Sequence, residues 1–132
     1  MSSKPFHAQV LTPNGPLFDG EVISITVPGS EGSFEVLHNH APLVSMLGIG
    51  KVEVKMPDNS EMLYAVSGGF VEVSDNRLTL LAEDAIEAKE IEVDEIRKQR
   101  DEIKKQLKET KQGREELEIE IAKKENMMRI GV

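Results

Sequence analysis

Cysteine and tryptophan are missing from this chain of 132 residues, and one tyrosine with four phenylalanines makes up its whole aromatic complement. The lack of cysteine excludes disulfides, thiolate nucleophiles and zinc–thiolate sites, and leaves the redox compartment unread. With so few rings, a core has to be filled by aliphatic side chains. No apolar stretch approaches the roughly 20 residues that cross a bilayer as a helix. Positive charge is also scarce: 16 basic against 24 acidic residues leave a net charge of −8. A phosphate-backbone binder needs a basic face, so nucleic acid is excluded as the main partner. The run Met1-Ser2-Ser3-Lys4-Pro5 has neither an apolar signal segment nor arginine-rich transit character, which points to a protein made where it works. At this length one domain and an appendage fit, and a second full domain does not.

What is present falls into two halves. Residues 1–86 hold 4 basic and 11 acidic residues and all six prolines, whereas residues 87–132 hold 12 basic and 13 acidic residues and no proline. The first half reads as short strands between turns. Pro13-Asn14-Gly15-Pro16, Pro28-Gly29, Pro57-Asp58-Asn59-Ser60 and Ser74-Asp75-Asn76 are turn sequences, because Asn-Gly supplies positive φ and proline fixes its own. Between them, residues 6–11 and 51–56 alternate with period two, residues 22–27 are β-branched apart from Ser24, and Ser67-Gly68-Gly69 interrupts a run resumed by Phe70-Val71-Glu72-Val73. Turns about every ten residues with no helical period between them predict an antiparallel β-sandwich over residues 1–86. Val10, Ile25, Val36, Leu47, Val66 and Leu80 are its expected core.

The period changes after residue 86. Ile96, Ile103 and Leu107 form one narrow apolar stripe on a helix, and Leu117, Ile121 and Met128 form another. Lys111-Gln112-Gly113 separates them, with Gly113 suited to end the first helix in the left-handed conformation and Asp94 placed to cap its start. Residues 87–132 are therefore expected to form an antiparallel two-helix hairpin, and the whole fold to be α+β by segments. The thin stripes leave three roles open: a solvated hairpin with no further task, a coiled-coil adaptor arm, or a mobile arm that docks on a partner.

No enzyme site is legible. His38 and His40 would share one side of an extended strand, but His7 has no spacing that supplies a third zinc ligand. The glycines at 29, 32, 68 and 69 lack the Lys-Ser/Thr that a P-loop needs at a helix start.

Two stretches carry a family resemblance. Val27-Pro28-Gly29-Ser30-Glu31-Gly32-Ser33-Phe34-Glu35-Val36-Leu37-His38-Asn39-His40-Ala41-Pro42-Leu43 and Ala65-Val66-Ser67-Gly68-Gly69-Phe70-Val71-Glu72-Val73 resemble two runs of ATP synthase epsilon subunits, and Val10-Leu11-Thr12-Pro13 with Phe18-Asp19-Gly20 is similar to their opening. The resemblance implies a sandwich of about ten strands and a helical hairpin. It also implies a non-catalytic central-stalk subunit of a proton-driven motor, bound to the gamma subunit and resting on the ring of c subunits. The loop with Glu31 and Ser33, with His40 nearby, would lie toward the ring. The hairpin would move between a folded position and an extended one that reaches the alpha and beta subunits and hinders ATP hydrolysis. Arg114, Lys123, Lys124 and Arg129 would then face acidic surface on beta. The implied location is the cytoplasmic face of a bacterial plasma membrane, with a plastid thylakoid as the alternative.

Some bacterial members bind regulatory ATP through Ile or Leu, Asp, two residues, Arg, Ala. Here Val93-Asp94-Glu95-Ile96-Arg97-Lys98 keeps Asp94 and Arg97 and departs at both ends, so capping by Asp94 with an exposed Arg97 stands beside the ATP reading. An ATP-sensing binding module and a coiled-coil adaptor are the alternatives to the rotor role.

Overall fold

The computed structural model describes residues 4–131; the expectation drawn from Met1-Ser2-Ser3 lies outside them. Eight strands come first: β1 (Phe6–Thr12), β2 (Gly15–Val22), β3 (Ser24–Gly29), β4 (Gly32–Val36), β5 (Leu43–Met46), β6 (Ile49–Lys55), β7 (Glu61–Ser74) and β8 (Arg77–Glu87). A 3-10 turn at Ala88–Glu90 leads to α1 (Val93–Glu109) and α2 (Arg114–Ile130). The expected β-sandwich and helical hairpin are both there.

The strands follow the order β2-β1-β8-β7-β6-β3-β4, with β5 added on β7. Eight strands serve where about ten were implied, because β7 and β8 are long enough to run through both layers. β7 changes partner across Gly68-Gly69: its residues 61–67 pair with β6, and 70–73 pair with β5. The apparent interruption at Ser67-Gly68-Gly69 is thus a bend inside one strand, with both glycines at positive φ. The sheet is also not wholly antiparallel, since β1 lies parallel to β8, His7 opposite Arg77. Two adjacent left-handed residues, Asp75 and Asn76, make the tight β7–β8 turn, as a primed hairpin turn requires.

Alternation then does the packing. Ala8, Val10, Val71, Val73, Leu78 and Leu80 point inward from neighbouring strands and are buried, as are all six expected core residues. Each fully buried aliphatic contributes about 1.5–3 kcal/mol relative to exposure. Tyr64 is the largest buried side chain, its hydroxyl only distantly placed to donate to the Leu17 carbonyl at 3.5 Å. Burial first, then the nearby carboxylates of Glu87 and Glu90, push its phenol up to about 12. The unfolded phenol ionises near 10, so stability from this group is intact below pH 10 and falls as pH rises toward 12. Tyr64→Phe is expected to flatten that alkaline loss, at most about 2–3 kcal/mol by pH 12; chemical denaturation at pH 8, 10 and 12 measures it. An unchanged slope above pH 10 in the variant would assign the loss to other groups.

A second, smaller core joins the hairpin to the sandwich. Ala65 of β7, Ala88, Ile91, Ile96 and Ile130 are buried together, with Leu63, Ile86, Val93 and Met127 packed at its edge. Gly131 closes it, because a Cβ there would meet Ile91 and Val93 Cγ2 atoms at 2.8 Å. The stripes behave as expected only in part: Ile96 and Ile121 are buried, while Ile103, Leu107, Leu117 and Met128 are half-buried.

Two expected terminus roles differ. The N-cap of α1 is Glu92, and no side chain caps it; Asp94 instead holds Arg97. Gly113 is left-handed, at φ 68, but it starts α2 rather than ending α1, which stops at an extended Thr110. Arg114 does the capping of α1, its Nη1 donating to the Leu107 and Thr110 carbonyls at 2.5 and 3.0 Å.

Candidate functional site: an apolar sheet face and a docked hairpin

Residues directly opposite in a ladder share a face, so the register gives the outer surface of the β5-β7-β8-β1-β2 layer row by row. One row runs Met46, Phe70, Leu81, Leu11, Pro16 across all five strands. The next runs Val44, Glu72, Thr79, Gln9, Asp19, and the third continues through Ser74, Arg77, His7 and Glu21. The apolar end is wet: Val44 is 69% and Met46 63% exposed, and Phe70 and Leu81 are more than a third exposed. The other end is charged, with His7 Nε2 2.6 Å from Asp19 Oδ1 and Gln9 donating to Asp19 at 3.1 Å. The Gln9 hydrogen bond, then His7, hold the Asp19 carboxyl below its usual range despite some desolvation. Large apolar side chains side by side on an outer sheet face mark an interaction surface, because water is a poor covering for them.

On the opposite side, α2 lies against β6 and β7. Asn126 is buried beneath it, donating from Nδ2 to the Gly50 carbonyl at 2.9 Å. Lys123 Nζ reaches Asp84 Oδ2 at 3.3 Å and Glu120 at 3.7 Å. Desolvation pulls the Lys123 ammonium down, but the Asp84 and Glu120 carboxylates outweigh it and hold the pKa above its ordinary value. Arg100 ties the two helices, 2.7 Å from Asp101 and 3.1 Å from Glu125. A cleft of about 300 Å³ between α2 and the β7–β8 ladder is lined by Ser67, Asp84, Lys123, Lys124 and Asn126. A second, more open one under the end of α2 is lined by Ser30, Ser33, Lys51, Asn126 and Arg129.

The residues singled out in the sequence are scattered by the fold. Glu31 stands in the exposed β3–β4 turn and Ser33 is the second residue of β4, and Ser33 shares the second cleft with Arg129. His40 lies in the loop that follows β4, where Asn39 N–H donates to Asn76 Oδ1 at 2.6 Å in the β7–β8 turn. His40 itself sits with Nδ1 2.7 Å from the Ala41 carbonyl. Arg114 and Lys123 are engaged internally as described, and Lys124 lines the first cleft. Asp94 and Arg97 form an exposed ion pair at 2.7 Å on the first turn of α1, with Lys98 exposed beside them, and they line neither cleft. Arg114, at the far end of α1, is not brought to them.

The domain family model for the "ATP synthase, Delta/Epsilon chain, beta-sandwich domain" matches residues 5–88. The chain belongs to the ATP synthase delta/epsilon family. Its relatives in this family include an ATP synthase epsilon chain of Leptospira interrogans, 42% identical over 94 residues that cover 71% of this chain and 73% of that one. One from Chlorobium limicola is 43% identical over 83 residues, 63% of this chain and 94% of the relative. One from Priestia megaterium is 42% identical over 90 residues, 68% and 66%. Among solved structures, a chain of the Euglena gracilis mitochondrial ATP synthase (OSCP/F1/c-ring, rotational state 1) superposes with TM-score 0.85 at 22% identity, covering 98% of this chain and 82% of that one. A chain of the Tetrahymena thermophila mitochondrial ATP synthase central stalk and c-ring gives 0.58 at 22% identity, covering 71% and 75%. The first of these fold likenesses spans sandwich and hairpin together. The resemblance to epsilon subunits drawn from the two sequence runs is therefore upheld.

Two features of these surfaces are not legible in the sequence. Asn126 reads as solvated, being a polar residue on a charged helix; its one signal is that Asn is a poor helix former in a helix interior. The members of the apolar row sit one per strand, and only the register brings them side by side.

Proposed function

We propose that this chain is a non-catalytic central-stalk rotor subunit of a proton-translocating F-type ATP synthase. Its sandwich couples the ring of c subunits to the gamma subunit, and its hairpin brakes ATP hydrolysis by leaving the sandwich for the alpha and beta subunits. The observation that carries this reading is the apolar row Met46, Phe70, Leu81, Leu11 on a chain of this family. A rotor subunit has to be fastened to the shaft through a broad face, and gamma is the occupant that fits it. Glu31 and Ser33, in and beside the exposed β3–β4 turn, would be the ring-facing residues, with His40 in the loop that follows β4. The chain would then sit at the cytoplasmic face of a bacterial plasma membrane, held there through the complex; among the described residues no helix is long and apolar enough to cross a membrane.

The braking half is supported by the way the hairpin is held. Lys123 is held by the Asp84 carboxylate of β8 while the hairpin is docked, and with Lys124 and Arg129 it becomes available to acidic surface on beta once the hairpin lifts; Arg114, bound to carbonyls inside the hairpin, joins them only by also releasing the end of α1. Regulatory ATP has no step here: Arg97 already holds Asp94, and Lys98 stands where the family's ATP pattern has alanine.

Removing residues 92–132 keeps β8 and the Ala88–Glu90 turn and takes away the whole arm. In the assembled catalytic complex this truncation is expected to raise ATP hydrolysis about five-fold or more, the lower range of an allosteric coupling. Hydrolysis equal to that of the full-length complex would remove the braking role and leave the rotor role standing.

A further inference from the structure

Helix α2 meets the sandwich with a polar residue at the middle of the joint. Asn126 is only 4% exposed, on a helix whose other polar side chains stay at the surface or half-buried. Gly50 of β6 and Val66 of β7 are directly opposite each other in the ladder, and the Asn126 amide sits over that pair. Its Nδ2 donates to the Gly50 carbonyl at 2.9 Å and lies 3.5 Å from the Val66 carbonyl, and Arg129 Nη2 is 3.5 Å from its Oδ1. A strand carbonyl has two lone pairs, so each can accept from Asn126 as well as from its ladder. The other polar tie between α2 and the sandwich is Lys123 to Asp84, whose carboxylate is 67% exposed, and such a pair is worth little. The apolar part of the joint gathers Met127, Met128 and Ile130 of α2 with Leu63, Ala65 and Ile86 of the sandwich, and apolar burial, being non-directional, does not by itself fix one register.

We propose that Asn126 is the latch of the arm: its amide, seated on the Gly50 and Val66 carbonyls, sets how often α2 leaves the sandwich. This rests on the reading of the hairpin as an arm that moves. The seat suits a reversible catch for a physical reason. A buried amide is stable only while its donors are satisfied, and in this place the satisfaction requires α2 to sit in one register over β6–β7. A shift of one turn strands it, so the arm is either seated or free. Once free, the amide is satisfied by water, and the net loss is modest.

Asn126→Asp is nearly the same shape but presents a carboxylate oxygen to two carbonyl oxygens. The charged groups that share its surroundings are Glu120, Lys123, Lys124 and Arg129 on α2, Lys51 on β6, and Glu83 and Asp84 on β8; Arg129, already aimed at the side-chain oxygen, offsets part of the repulsion. In the full-length chain at pH 7, hydrogen exchange of α2 amides is expected to quicken roughly 100-fold in this variant, while amides of the sandwich core, such as Val71 and Leu80, keep their protection. Acidification protonates the new carboxyl and returns a donor to the seat, so the ratio to the native chain should shrink as pH falls toward 4. Asn126→Leu, which has no donor at any pH, should quicken α2 exchange about 10-fold at both pH values. The latch is overturned if α2 exchange is unchanged in Asn126→Asp, if the sandwich core loosens equally, or if the Leu variant is as protected as the native chain. The isolated chain answers this without the motor. Looser α2 together with unaltered hydrolysis by a complex carrying Asn126→Asp would keep the latch and sink the brake.

Discussion

Gly69→Ala is expected to strip this protein of a large part of its stability. Gly69 lies at φ +114, where side-chain-bearing residues are strained whatever the space, and a Cβ built there would be 1.9 Å from the Leu81 carbonyl oxygen and 2.9 Å from Ala82 Cα. Those obstacles are backbone, and they cannot swing aside as a rotamer can. They belong to the β7–β8 ladder at the bend where β7 hands over from β6 to β5, with Gly69 opposite Ala82 and Phe70 opposite Leu81. Relief would mean prying apart the two longest strands. A loss of about 4 kcal/mol or more follows, against the roughly 5–15 kcal/mol that holds a small domain together. The melting temperature should drop by roughly 20 °C in a circular dichroism melt. Gly15→Ala is the control: its φ of +121 is similar, but nothing lies within 4 Å of the added carbon, so only the backbone strain is felt. Equal, small effects at the two sites would show that the bend at Gly69 yields more readily than its ladder suggests.

The second large effect is on assembly. Phe70→Asp places a charge at the centre of the apolar row, between Met46 and Leu81. Phe70 points outward and is 39% exposed, so the melt of the isolated chain should move by only a few degrees. Binding to the gamma subunit should weaken by about 100-fold or more, because a central aromatic is lost and a carboxylate is buried without a partner. Co-purification with gamma, and titration against it, reads this directly; Glu61→Ala, at the start of β7 and away from the row, serves as the comparison. Undiminished binding by the Asp variant would move gamma to a different face and take the main support from the rotor reading.

How far the residues announced all this depends on the range of the forces involved. Strand β6 could be read from its alternation, and the aliphatic core from the same period, because one face wet and one face dry is a local signature. Strand β2 could not. It is an edge strand with Pro16 and Gly20, and its register with β1 shifts between Val10 and Leu11, so its pattern of burial never alternates cleanly. The parallel contact of β1 with β8 was equally hidden, because pairing partners far apart in the chain leave no mark on either. In the hairpin, the stripes gave two helices, but the sequence placed Gly113 at the wrong helix end, since a left-handed glycine can close one helix or open the next. The interaction features lie further still from local pattern. Phe70 and Met46 look like ordinary strand residues until the ladder sets them side by side, and Asn126 looks solvated until α2 is laid on β6.

The parallel contact also has a consequence for biosynthesis. β1 leaves the ribosome well before its inner neighbour β8, which begins at Arg77, so β1 and β2 must wait as an unsupported hairpin while residues 23–76 emerge. Waiting hairpins of this kind are slow to be paired and are open to the wrong partner meanwhile. β6 and β7, which form the seat for α2, are already joined by a short local turn before β8 emerges. The order of emergence therefore has the seat made first, the sandwich closed next, and the arm delivered last to a surface that is ready for it.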